Sequence, residues 1–284
     1  MFRIPNVKFF VSKYVNLFYH ICVLFSEYFP EELSLGILNN SSYKQLYGRL
    51  KTQSLRKKFQ QLQLYSYYTW DFVGKSLFKA NSVFSIKETL RKTSQKLSDI
   101  WFEILEEFLP SYGDIWAETQ EKLEEYKAAF ETEWHPIHES VLNKMSNMVK
   151  LPWRIQSISV YLVGCVHGGG AWIEDVVLPP FPDVDVEKKL LTHEIAHVLM
   201  PEYFLKTKLQ NFGLNSVISH TIVDLVAYFG IREYVADPER LGIRPNPKYY
   251  AQIHKLYPII EECYKNPSKY GNFDGILKQI KLKT

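Results

Sequence analysis

Apolar and polar positions alternate with two different periods along this chain, and the period changes near residue 151. Before it, spacing of three and four dominates. Residues 85–108 carry apolar side chains at helical intervals behind a Ser85 cap, and Pro110 to Gly113 predicts a break. A charged helix is expected over 114–132, an interruption at Trp134-His135-Pro136-Ile137-His138, and a further helix over 139–149 ending before Pro152. His135 and His138 read as structural residues flanking a proline kink. From Pro30 onward this half reads as almost wholly helical.

After Leu151-Pro152 the texture changes. Residues 157–164 and 171–178 read as β-strands, joined through Gly168-Gly169-Gly170. Residues 186–200 then form an amphipathic helix with Leu190, Leu191, Ile195, Val198 and Leu199 on its apolar faces and Asp183 and Asp185 at its start. A last strong pattern, 215–230, is apolar except for His220, Asp224 and Tyr228, which recur every four residues as one polar stripe. These patterns predict an α+β protein with a helical domain over 1–150, acting as a cap, regulator or interaction module. A smaller unit over 151–284 would hold a short mixed sheet and two long helices.

Composition supports a folded chain and excludes some partners. With 284 residues, 46% of them hydrophobic, a sizeable core is assured. The net charge of +3 is mild, and basic runs such as Arg56-Lys57-Lys58 read as solvated faces, so no nucleic-acid partner is expected. Cys22, Cys165 and Cys263 are odd in number and widely spaced, which argues against a disulfide framework and for a reducing, cytoplasmic setting. Residues 9–25 are the alternative, a membrane-associating segment. Lys13, Asn16 and His20 interrupt that run, leaving it short of the ~20 apolar residues a spanning helix needs, and a buried or interfacial helix is the expectation.

The chemistry concentrates in His193-Glu194-Ile195-Ala196-His197. Four residues apart on a helix, the two imidazoles project from one face and can close on one ion, with Glu194 beside the metal and free to act as a base. Catalytic zinc takes three protein ligands, so a third is expected downstream. His220 is the first candidate, with Asp224 accepting the spare N–H of a ligating histidine. Asp224 itself is the rival ligand, and Glu233 a weaker one.

On these residues the chain resembles the zincin metallopeptidases, and among them the gluzincins, in which a glutamate ligand on a second helix is followed four residues later by an aspartate supporting the first histidine. Here His220 stands at the ligand position and Asp224 at the aspartate position. Thr221, Asp224, Tyr228 and Gly230 also echo the aspzincins, in which the aspartate binds zinc. The metzincin continuation, a glycine and a third histidine soon after the pentad, is absent from 198–208.

The resemblance implies a zincin-like catalytic domain over 151–284, one Zn2+ per chain and a peptide or protein substrate. It implies Glu194 as general base and acid, and 171–178 as the edge strand that pairs with extended substrate. Tyr228, then His254, are the expected donors to the oxyanion, with Arg232, Tyr249 and Tyr250 behind them, and His167 is a candidate for orienting substrate. The alternative from a different class is a non-catalytic domain stabilised by structural zinc, with Cys165 or His167 closing the fourth position and the helical half binding a protein partner.

Overall fold

The computed structural model describes residues 2–25, 57, 78, 80, 82–92, 95–164, 170–172, 174–236 and 247–283. They form an α+β arrangement, mostly helical, around a small mixed sheet. The chain opens with β1 (Asn6–Phe10) and α1 (Lys13–Phe25), and continues with α2 (Val83–Arg91), α3 (Gln95–Trp134) and α4 (His138–Val149). Next come β2 (Ser157–Leu162), β3 (Gly170–Trp172) and β4 (Asp175–Leu178). The helices α5 (Val184–Leu199), α6 (Glu202–Asn211), α7 (Ile218–Ile231), α8 (Pro247–Lys265) and α9 (Phe273–Lys283) complete it.

Strand order is β1-β2-β4-β3. The first three run parallel, with Val7 beside Ile158 and Val160 beside Val176, while β3 turns back antiparallel on β4. Alternation along the strands gives the sheet two buried faces. Val7, Phe9, Ile158, Val160, Leu162, Val176 and Leu178 join the main core with α3 to α9. Tyr161, Val163 and Val177 face the other way and meet Val15 of α1 and Phe78. Asn16 of α1 is fully buried because it terminates the sheet: its amide donates to the Leu162 carbonyl at 2.9 Å and its oxygen accepts from Gly164 N–H at 3.0 Å.

Several expectations need correction. Residues 171–178 are not one strand but a hairpin, of which only β3 lies at the sheet edge. Phe9 and Phe10 belong to β1, so the N-terminal apolar run is a strand and a helix rather than a single helix. Pro110 does not end a helix: α3 passes straight through it to Trp134. Its apolar face continues on both sides of the proline through Ile104, Leu105, Phe108, Tyr112, Ile115 and Trp116, all buried, and that packing outweighs the lost backbone bond. The helix expected from Ser85 is two helices, and its cap is Ser82. Ser82 Oγ accepts from Ser85 N–H at 3.1 Å while Ser85 Oγ accepts from Ser82 N–H at 3.2 Å, a reciprocal box.

Leu151-Pro152 marks a change of texture but no gap in packing, because one hydrophobic cluster runs from Val7 through Trp134 and Val149 to Ile280. His135 and His138 flank the turn between α3 and α4, His138 Nδ1 donating to the His135 carbonyl at 2.8 Å. No described helix is long and apolar enough to cross a membrane. Cys165, His167 and nearly all of 26–81 lie outside the described residues.

Candidate metal centre

Two helices that cross at their apolar faces build the site. The first, α5, starts where Asp183 Oδ1 accepts from the N–H groups of Asp185 and Val186 at 2.9 and 3.4 Å, and Asp185 complements the positive end of its dipole. It packs against β3 and β4, and its pentad faces α7. The second, α7, is so apolar that every residue in it is buried except His220. Gly230 sets its approach to α4, since a Cβ there would lie 2.7 Å from Met145 Cγ. Burial on all sides locks the rotation of α7 about its axis, and that rotation aims the polar stripe at the pentad.

Three imidazoles converge at the crossing. The ring centroids of His193, His197 and His220 are 4.8, 5.0 and 5.2 Å apart in pairs, and one ligand nitrogen from each lies within 4.8 Å of the others. Asp224 sits beneath them with its side chain only 5% exposed, His193 is 20% exposed, and His220 at 56% forms the mouth. The site therefore opens to solvent on the His220 side and closes at the carboxylate.

Asp224 meets two rings: Oδ1 is 2.8 Å from His193 Nδ1 and Oδ2 is 3.1 Å from His220 Nδ1. Burial opposes its charge, but the hydrogen bonds from His193 and His220 outweigh it and hold the carboxyl below its usual range. The hydrogen bond that His220 donates to Asp224 is also the main reason His220 is shifted upward. His197 is pushed down to about 3 by burial and then by its two neighbouring rings, so it is neutral and able to ligate. Burial lifts Glu194 to about 7, against the pull of His193 and His220. That is the range in which a carboxylate both takes and returns protons near neutral pH.

The donor set fits zinc. His193 Nε2 and His197 Nε2 are 3.2 Å apart, close to the ~3.3 Å chord between two nitrogens each ~2.0–2.1 Å from a tetrahedral zinc. With His193 Nδ1 turned to Asp224, its Nε2 carries the lone pair, which faces His197 Nε2. Both oxygens of Asp224 face ring nitrogens, the arrangement of a supporting carboxylate.

Other expected residues lie elsewhere. Glu233 is engaged by Lys144 and Tyr264 and does not join the three-histidine group. Arg232 stacks over the rings of Tyr228, Phe229 and Tyr264. Tyr228, one turn beyond Asp224, is 9% exposed and packs against Phe229 and Tyr257. His254 is exposed on α8 and does not join the three-histidine group. One contributor went unnoticed in the sequence: Glu202, at the start of α6, acts electrostatically on His220. Its position five residues after His197 was the available signal. No protein-family model, curated protein or solved structure matches this chain.

Proposed function

We propose that the protein is a zinc metallopeptidase with a zincin-like catalytic unit, in which His193, His197 and His220 hold the metal. The observation that carries this reading is the convergence of three imidazoles beside a buried glutamate, with a carboxylate behind two of the rings. When bound, zinc lowers the pKa of water toward neutrality and polarises a peptide carbonyl. Glu194, buried beside the rings, would take the proton of the attacking water and deliver it to the departing amine. Asp224 orients the rings.

The test combines metal analysis of the purified protein with peptidase assays on a fluorogenic peptide library. Glu194→Gln is expected to keep zinc and lose activity by about 10² to 10⁴, whereas His220→Ala is expected to lose the zinc. Activity that survives Glu194→Gln would sink the mechanism. Stoichiometric zinc with no activity from the unaltered chain would instead favour a structural zinc site.

A further inference from the structure

We propose that Asp224 is a shared positioning residue that fixes His193 and His220 in the same tautomer, so that each presents Nε2 to one ion. The proposal rests on the metal-centre reading above and extends it from which residues ligate to what makes two of them competent at once.

A carboxylate can only accept. Since its two oxygens contact the Nδ1 atoms of two different rings, at 2.8 and 3.1 Å, both Nδ1 atoms carry hydrogen. A neutral imidazole has one N–H, so both Nε2 atoms hold lone pairs. One carboxylate thus decides the tautomers of two ligands on two different helices, α5 and α7. The 5% exposure of the Asp224 side chain leaves little room for water to take over that role.

An amide cannot do the same. Asn has one accepting oxygen and one donating NH2, so in Asp224→Asn one ring faces a donor. That ring must turn its Nδ1 lone pair to the amide and carry hydrogen on Nε2, which removes it as a ligand. In Asp224→Ala neither ring is constrained, and each can still adopt the competent form. The isosteric variant should therefore be the worse one. A purely structural role for Asp224 gives the opposite order, because Ala leaves a cavity and Asn does not.

The first measurement is long-range 1H–15N correlation of the histidine rings in the metal-free full chain, at a pH where the 15N shifts themselves show both rings neutral. Nδ1–H is expected for His193 and His220 in the unaltered protein, and Nε2–H for one of them in Asp224→Asn. The second is zinc affinity by competition with a chromophoric chelator. Asp224→Ala is expected to weaken binding by about 10- to 100-fold, and Asp224→Asn by roughly a further tenfold for the lost ligand. Finding Nε2–H on either ring of the unaltered protein overturns the proposal, and this result needs no variant to fold. Folded Asp224→Asn that binds zinc as well as Asp224→Ala, or better, also overturns it. Failure of the unaltered chain to bind zinc at all would remove the metallopeptidase reading instead, while the ring correlations still decide the tautomers.

Discussion

Glu187, in the first turn of α5, is an acid held where its charge is poorly solvated. It is fully buried. Phe181 N–H donates to its Oε2 at 2.7 Å and the Tyr126 hydroxyl reaches the same oxygen, but Oε1 has no hydrogen-bond partner among the described residues. Burial lifts its pKa to about 8, against the Phe181 bond that pulls it down. The unfolded chain releases this proton near 4.5 and the folded chain holds it to about 8, so folding binds the extra proton between those values. The contribution of Glu187 is therefore greatest below the lower value and is lost as pH rises toward the upper one. Denaturant titrations should show stability falling by on the order of 1 kcal/mol per pH unit across that window. Glu187→Gln should flatten the slope; an unchanged slope would refute the assignment. The sequence showed Glu187 only as an acid well placed for the helix dipole, since its burial depends on Tyr126, sixty-one positions away. The pentad was plainer because its two histidines share one helix face at a spacing that the helix itself dictates. His220 and Asp224 were legible as a stripe for the same reason. That Asp224 touches both rings was not, because the second contact depends on how α5 and α7 cross.

At the scale of elements, the site depends on α7 lying close against both α5 and α4. Gly230 makes that approach possible: an added Cβ meets Met145 Cγ at 2.7 Å and Sδ at 3.0 Å, with Thr192 Cγ2 of α5 at 3.7 Å. Met145 is itself fully buried and has little room to retreat. Gly230→Ala gains helix propensity of about 1 kcal/mol but introduces an overpacking cost of about 1–3 kcal/mol. A net loss of stability is expected in thermal or denaturant unfolding. Because α7 must shift or rotate to relieve the clash, zinc affinity should fall with it; a variant more stable than the parent would show that Met145 yields freely. Helix existence was readable from periodicity in α5, α7 and α4, and the Asp183 cap was where its chemistry put it. Breakpoints were less so. Pro110 predicts an end by local rules, yet Phe108 and Tyr112 on either side are buried by distant partners, and propensity lost to tertiary packing. The hairpin of β3 and β4 read as one strand because apolar residues on both sides of the turn hide it.

For the whole molecule the decisive element is β1, which the sequence blended into a helix. Asn6 to Phe10 pair in parallel register with Ser157 to Tyr161, and Val7 and Phe9 enter the same core as the helices that carry the site. Parallel pairing between segments some 150 residues apart leaves no local mark in a sequence, since neither strand is followed by a hairpin turn. The helical half contributes more than a strand. Phe9 packs edge-on against Phe130 of α3 with centroids 5.5 Å apart, and Trp134, fully buried, closes the end of that helix in the common core. Lys188, on the pentad helix, pairs with Glu133 of α3 at 2.9 Å. A chain beginning at residue 151 would expose the β2 edge as unpaired backbone and uncover the core face of α5. The expected outcome is therefore loss of cooperative unfolding and of zinc binding, not an opened cleft with faster cleavage of small peptides. Differential scanning calorimetry together with zinc titration of that fragment checks this. A sharp transition with retained affinity would show that residues 151–284 fold alone. A milder cut tests the strand by itself: removing residues 1–11 takes away β1 but leaves α3, and it should lower the melting temperature while far-UV dichroism still reports the helices.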